Sequence, residues 1–258
     1  MSQKELVSII MPNYNCEKFV YETVKSVIDQ TYENWELLFV DDCSTDKSVE
    51  IVESFNDSRI RILKNPKNSG AAISRNYALR EAKGKWIAFL DSDDLWHREK
   101  LERQIKFMKD NGYAFSYTFY DEIGEDGTPF NKEVKGPKRI GKRKIFRYCW
   151  MGCLTVMYDR EVVGLIQIED LKKNNDYAMW LKVCKKADCY AMEQVLSSYR
   201  VRGGSISRQS KFKLIKHHYI LFRKGEKKNA LSATWFTFWN LFWGVYKKLK
   251  YVKTRKDK

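Results

Sequence analysis

The sequence predicts an α/β fold, an αβα sandwich around a mainly parallel central sheet, followed by a C-terminal helical extension. Three observations lead there. Short β-branched or aromatic runs alternate with segments of helical spacing through the first hundred residues. Three of those runs end abruptly in polar clusters, and the excess charge is confined to the end of the chain. With 258 residues, 43% of them hydrophobic, the chain can bury a sizeable core.

VSIIM (7–11), ELLFV (36–40), RIRIL (59–63) and WIAFL (86–90) have strand length and composition. Between them, EKFVYETVKSVIDQ sets Phe19, Val20, Val24, Val27 and Ile28 on one helical face, and STDKSVEIVESF opens with Ser and Thr that can cap a helix. AAISRNYALREAKG ends at Gly84, which is expected to cap that helix at its C-terminus. Alternation at this interval implies parallel βαβ units covered on both faces. The chain divides into segments 1–112, 113–205 and 206–258, expected to serve donor binding, acceptor binding and membrane association.

VSIIM runs into PNYN, ELLFV into DDCS, and WIAFL into DSDD. In open α/β sheets ligands bind beyond the carboxyl ends of the strands, so these clusters are expected on one rim. Asp91, Asp93 and Asp94 fall within four positions. Ionised carboxylates about 6 Å apart repel by roughly 2 to 3 kcal/mol at an effective dielectric near 20, so a counter-charge is expected. Hard oxygen donors with no His or Cys nearby suit Mg²⁺ or Mn²⁺, which bind through one or two carboxylates plus substrate phosphates. The alternative is that DSDD only caps the following helix, a role expected of Asp94 in either case.

Other chemistries are disfavoured. The cysteines at 16, 43, 149, 153, 184 and 189 form no C-x-x-C pair, and His97, His217 and His218 match no zinc-hydrolase spacing. No G-x-G-x-x-G follows the first strand. GPKRIGKR (136–143) lacks the Ser or Thr of a P-loop, and Trp96 stands where an EF-hand needs glycine. With no apolar leader before LVSIIM, the active region is expected to be cytoplasmic.

VSIIMPNYNCEKFVYETVKSVIDQTYENWELLFVDDCSTDKS, NSGAAISRNYALREAKGKWIAFLDSDD and NDYAMWLKV together resemble the family 2 glycosyltransferases of GT-A fold, specifically those of bacterial capsule and teichuronic-acid-type polymers. The resemblance spans about residues 6–205 and is weakest over 113–170. It implies an inverting transferase using a nucleotide-diphosphate sugar, with a UDP-sugar expected. Pro12 and Tyr14 would frame the nucleobase, and Asp42 would accept from it. Arg75 would lie near the nucleotide, Asp91 and Ser92 at the ribose or diphosphate, and Asp93 on Mn²⁺ or Mg²⁺. Asp176 would be the catalytic base, next to Asn175 where many relatives have Glu. At a helix start its ionised form is favoured. In SYRVRGGSISRQ, Arg200, Arg202, Ser205 and Ser207 are candidates for a diphosphate clamp. A catalytically silent donor-binding or scaffold subunit is the other reading.

Residues 200–258 hold 17 Lys and Arg against Glu226 and Asp257, which leaves 31 against 31 in the rest. Residues 229–246 are 18 positions without a charge, bracketed by lysines. Trp235, Trp239 and Trp243 recur every fourth residue, opposite a weakly polar stripe of Ala233, Thr237, Asn240 and Gly244. This reads as a helix lying on an anionic membrane surface at the inner face of the cell membrane, with a lipid-linked glycan as acceptor. Packing on the core or in a homodimer remains open. Nucleic acid is disfavoured because the aromatics cluster apart from the charges.

Overall fold

A computed structural model of the chain describes residues 5–203 and 211–254. The N-terminal part runs β1 (Val7–Asn13), α1 (Val20–Ile28), β2 (Trp35–Asp41), α2 (Ser48–Glu53), β3 (Ile60–Lys64), α3 (Ala71–Glu81) and β4 (Trp86–Phe89). Then come β5 (Leu95–Trp96), α4 (Lys100–Asn111), β6 (Phe115–Ile123), β7 (Pro129–Val134), β8 (Arg139–Ile140), α5 (Lys142–Ile145), β9 (Val156–Asp159) and α6 (Arg160–Val163). The chain continues through α7 (Asn175–Val183), β10 (Cys189–Arg200), α8 (Lys211–Ile220), a π-helical turn at Leu221–Gly225, α9 (Ala230–Tyr251) and β11 (Val252–Thr254).

One sheet runs β11-β7-β6-β9-β4-β1-β2-β3, with β10 joining β6, β5 and β8. The expected parallel arrangement holds from β3 through β2 and β1 to β4. Beyond β4 the sheet is mixed: β9 is antiparallel to β4 and β6, while β10 lies parallel to β6. The pleat separates two cores. Ile10, Leu38 and Val40 face α3 and α7, whereas Ile9, Met11, Leu37 and Phe39 face α1, α2 and α4. Each such fully buried apolar side chain contributes roughly 1.5 to 3 kcal/mol, which makes these strands the rigid base of the rim.

Several local expectations are corrected. The first turn of α2 is satisfied by Asp46, whose carboxylate accepts from the Ser48 amide at 3.0 Å, rather than by Ser44 or Thr45. Gly84 is not a left-handed cap, since α3 already ends at Ala82; a side chain at 84 would meet Ser8 N at 2.6 Å and Leu6 O at 2.7 Å. Close backbone approach to β1 is what requires glycine there. Asp94 does not cap α4, because β5 intervenes and pairs with Ser197 and Ser198 of β10.

The described residues of segments 113–205 and 206–258 share the sheet and core of the first. Leu221, Phe222 and Ala233 belong to the same apolar cluster as Phe115 and Trp180. β11 extends the far edge, Val252 opposite Val134.

Candidate functional site

The ends of β1, β2 and β4 deliver their polar clusters to one rim. Asn13 Nδ2 donates to Asp41 Oδ1 and to Ser44 Oγ, both at 3.1 Å, which ties the first two clusters together. Pro12 is buried within β1, and Tyr14 just beyond it is 50% exposed. Three non-glycine residues around this rim and the start of α7 have left-handed backbone: Asn15 (φ 50°), Cys43 (φ 64°) and Asn174 (φ 56°). Each costs about 1 to 3 kcal/mol, and such strain is concentrated at functional sites.

Asp42 is buried and binds the loop ahead of α3. Its carboxylate accepts from Asn65 Nδ2 at 2.7 Å and from the amides of Ser69 and Gly70 at 2.8 and 2.6 Å. A carboxylate has about four lone-pair directions, so Asp42 keeps limited capacity for a nucleobase while shaping the loop that would surround it.

Arg75 is the centre of the site. From α3, its buried guanidinium donates through Nη2 to Asp91 Oδ1 and through Nη1 to Asn175 Oδ1. Burial disfavours its charge, but Asp91 above all, with Asp176 as well, holds it firmly cationic. Asn175 therefore has a visible function: its amide oxygen receives Arg75 without adding a second negative charge beside Asp176.

Asp176 lies in the first turn of α7, half-buried. Burial raises its carboxyl above the ordinary range, and Arg75 opposes that shift. The expected preference for ionisation at a helix start is present through the Tyr177 amide but is outweighed by desolvation. A carboxylate with a raised pKa is a better proton acceptor, as a general base requires.

The acidic triplet separates into three roles. Asp91 faces Arg75. Asp93 pairs through Oδ2 with Arg202 Nε at 2.8 Å; burial raises its carboxyl, and Arg202 lowers it. Asp94 is almost fully buried and accepts from the Arg200 amide at 2.9 Å, joining the cluster to β10. Ser92 is buried, its carbonyl accepting from Thr23 Oγ1 at 3.1 Å.

Arg200 and Arg202 differ sharply. Arg200 is 1% exposed, and its three guanidinium nitrogens donate to the Asp93 carbonyl, the Glu125 carbonyl and Glu22, at 2.8, 2.8 and 2.6 Å. It is a strut rather than an open clamp. Arg202 is half-buried, with its charge centre 5.5 Å from the Phe19 ring centroid, and it stands at the rim. Ser205 and Ser207 lie outside the described residues. Glu22 and Phe19, which organise both arginines, gave no signal in the sequence beyond their places in and beside an amphipathic helix.

Among the described residues no three His, Cys, Asp or Glu side chains converge as a metal cage. Mg²⁺ or Mn²⁺ held through one carboxylate and substrate phosphates needs no such cage, and the partly exposed Asp93 carboxylate fits that mode.

The sequence profile described as "Glycosyl transferase family 2" matches residues 8–163. The chain is 41% identical over 235 residues to "Putative teichuronic acid biosynthesis glycosyltransferase TuaG" of Bacillus subtilis (strain 168), covering 90% of this chain and 93% of that one. It is 43% identical over 216 residues to "UDP-Glc:alpha-D-GlcNAc-diphosphoundecaprenol beta-1,3-glucosyltransferase WfgD" of Escherichia coli, covering 83% and 84%. Among solved structures, S. aureus TarS 1-349 in complex with UDP-GlcNAc superposes with a TM-score of 0.70 at 20% identity, covering 91% of this chain and 70% of that one. This likeness establishes the GT-A fold. Mannosyltransferase PcManGT from Pyrobaculum calidifontis, solved with GDP-Man and Mn²⁺, gives 0.66 at 17% identity, with 96% and 74% covered.

Proposed function

The chain belongs to glycosyl transferase family 2, and on that premise we propose that it is an inverting hexosyltransferase of cell-surface polysaccharide synthesis, moving a sugar from a UDP-sugar to a lipid-linked glycan. The observation that supports this most is the bridge made by Arg75. One buried guanidinium joins Asp91, at the end of a donor-side strand, to Asn175, the neighbour of Asp176.

In this reading Tyr14, Pro12 and Asp42 surround the base, and Asp91, Ser92 and Arg75 lie along the ribose and diphosphate. Arg202 supplies a positive charge for the diphosphate. Asp93 offers a hard oxygen to Mn²⁺ or Mg²⁺, which when bound neutralises charge on the departing diphosphate. Asp176 takes the proton from the acceptor hydroxyl as the new bond to C1 forms on the face opposite the breaking C1–O–phosphate bond. A single displacement of this kind inverts the anomeric centre.

No helix of the described residues is long and apolar enough to cross a membrane. A basic tail and a lipid-linked acceptor support a cytoplasmic protein attached peripherally to the inner face of the membrane, as monomer or homodimer. The test is a screen of nucleotide sugars with short-chain polyprenyl-diphosphate sugars, following divalent-dependent release of nucleotide diphosphate. Turnover with a UDP-sugar is expected. Donor binding without turnover, whatever the acceptor, would instead identify a silent donor-binding or scaffold subunit.

A further inference from the structure

Helix α9 is inside out. The weakly polar stripe, which a free amphipathic helix would turn to water, is the buried one: Ala233, Thr237 and Asn240 are at most 5% exposed. Small side chains let the helix approach closely. At Gly244 an added Cβ would come within 2.9 Å of the Tyr148 ring. Asn240 Nδ2 donates to Tyr177 Oη at 2.7 Å, and that hydroxyl donates to the Ile145 carbonyl at 2.7 Å. The inner face is thus bonded to α7 at the residue following Asp176.

The outer face carries the apolar side chains. Leu231, Trp235, Phe238, Phe242, Val245 and Leu249 are 85, 60, 67, 54, 60 and 81% exposed. Their alternating spacing of four and three residues forms one continuous row along a helix of 22 residues. An apolar strip of this size facing water marks a contact surface.

Charge decides what covers it. From Lys227 to Thr254 there is no Asp or Glu, while Lys227 precedes the row, Lys248 stands beside its last residue, and Lys250 and Lys253 follow it, all exposed. Beside the row, where α9 meets the core, Arg147 lies over the Trp243 ring at 5.1 Å and Lys250 over Tyr246 at 5.3 Å, so cations also stand at its flank. A second copy packed along the row would meet Ser232, Thr234, Trp239, Leu241, Tyr246 and Lys248 at its flanks. No acid is available there to pair across. An anionic leaflet accepts both the apolar row and the lysines.

We infer that the outer row of α9 is seated in the headgroup region of an anionic phospholipid leaflet, and that through Asn240 and Tyr177 this docking fixes the height of Asp176 above the membrane. The inference deepens the proposed function by naming the surface that brings the lipid-linked acceptor to the base, and it rests on that reading for the acceptor alone.

The test uses the full chain and vesicles of phosphatidylcholine, with and without equimolar phosphatidylglycerol. Wild type is expected to sediment with the anionic vesicles only, with a blue shift of tryptophan emission. The double variant Phe238→Gln/Phe242→Gln should lose at least about tenfold in vesicle affinity at unchanged melting temperature. It should also raise KM for a vesicle-embedded acceptor while leaving turnover of a short-chain soluble acceptor unaltered. Wild type remaining in the supernatant with anionic vesicles would overturn the inference. So would a wild-type dimer in light scattering that the double variant converts to monomer, because a second copy would then cover the row. Turnover on the soluble acceptor without vesicle binding sinks only the docking, whereas vesicle binding with no turnover of any donor sinks only the transferase reading.

Discussion

Arg202 Nε lies 2.8 Å from Asp93 Oδ2, so the acid proposed for a divalent ion is already held by the arginine proposed for the diphosphate. The pair stores one charge of each sign that the donor complex would redistribute, the acid to the cation and the arginine to the phosphate. Arg202→Gln is expected to tighten Mn²⁺ binding in the absence of donor several-fold, read by electron paramagnetic resonance. The same change should weaken UDP binding by about tenfold, the scale of one lost charge-assisted contact. Unchanged Mn²⁺ affinity would mean that the ion does not use Asp93.

Arg200 should behave in the opposite way. Its guanidinium partners are three backbone carbonyls, of Asp93, Gly124 and Glu125, and Glu22, and it sits at 1% exposure. Arg200→Lys cannot reproduce that fork, and it is expected to cost about 3 kcal/mol in chemical denaturation. Arg202→Lys should leave stability within about 0.5 kcal/mol. An Arg200→Lys protein of full stability and poor donor affinity would return Arg200 to the clamp.

Asp176→Asn should lower transfer by about 10² to 10⁴ and keep donor affinity within about twofold. Because burial raises the Asp176 carboxyl and Arg75 lowers it, transfer should fall as pH drops through the folded-state pKa. Arg75→Met should move that acidic limb to higher pH. A limb that does not move in pH–rate profiles would separate Arg75 from the base.

His218 of α8 is buried beside the start of α7, its ring nitrogen 3.5 Å from Asn174 Nδ2, and burial lowers its pKa to about 4 from an ordinary 6.5. In the unfolded chain it takes up a proton below about 6.5, whereas the folded chain resists until about 4. Its contribution to stability is therefore complete above pH 6.5 and is lost as pH falls toward 4, by at most about 3 kcal/mol. The stability difference between wild type and His218→Asn should change by that amount between pH 7 and 4 in urea titrations, and a constant difference would count against a neutral buried ring.

What could be read in the sequence was what is local. The strands of the N-terminal part announce themselves because consecutive residues are buried on both faces, and their polar ends follow immediately. Arg200 looked like a clamp because its partner Glu22 lies 178 residues away. Asp94 looked like a cap because nothing nearby indicates that Leu95 and Trp96 pair with β10. The α9 stripe is legible in the sequence but its direction is not, since a helical wheel separates two faces without saying which one meets protein; here Ala233, Thr237 and Asn240 do. Asn175 stood out only as a departure from a family pattern, and its contact with Arg75 requires the fold.

The pairing of β11 with β7 sets a clock on synthesis. Val134 must wait for Val252, 118 residues later, and at about 5 to 20 residues per second that delay is on the order of ten seconds. During that interval Tyr177 lacks Asn240, the apolar cluster lacks Ala233, and the edge of β7 is open. The exposed apolar row of α9 emerges only as those vacancies are filled, so the proposed docking face would be completed last, just as α7 gains its bond to α9.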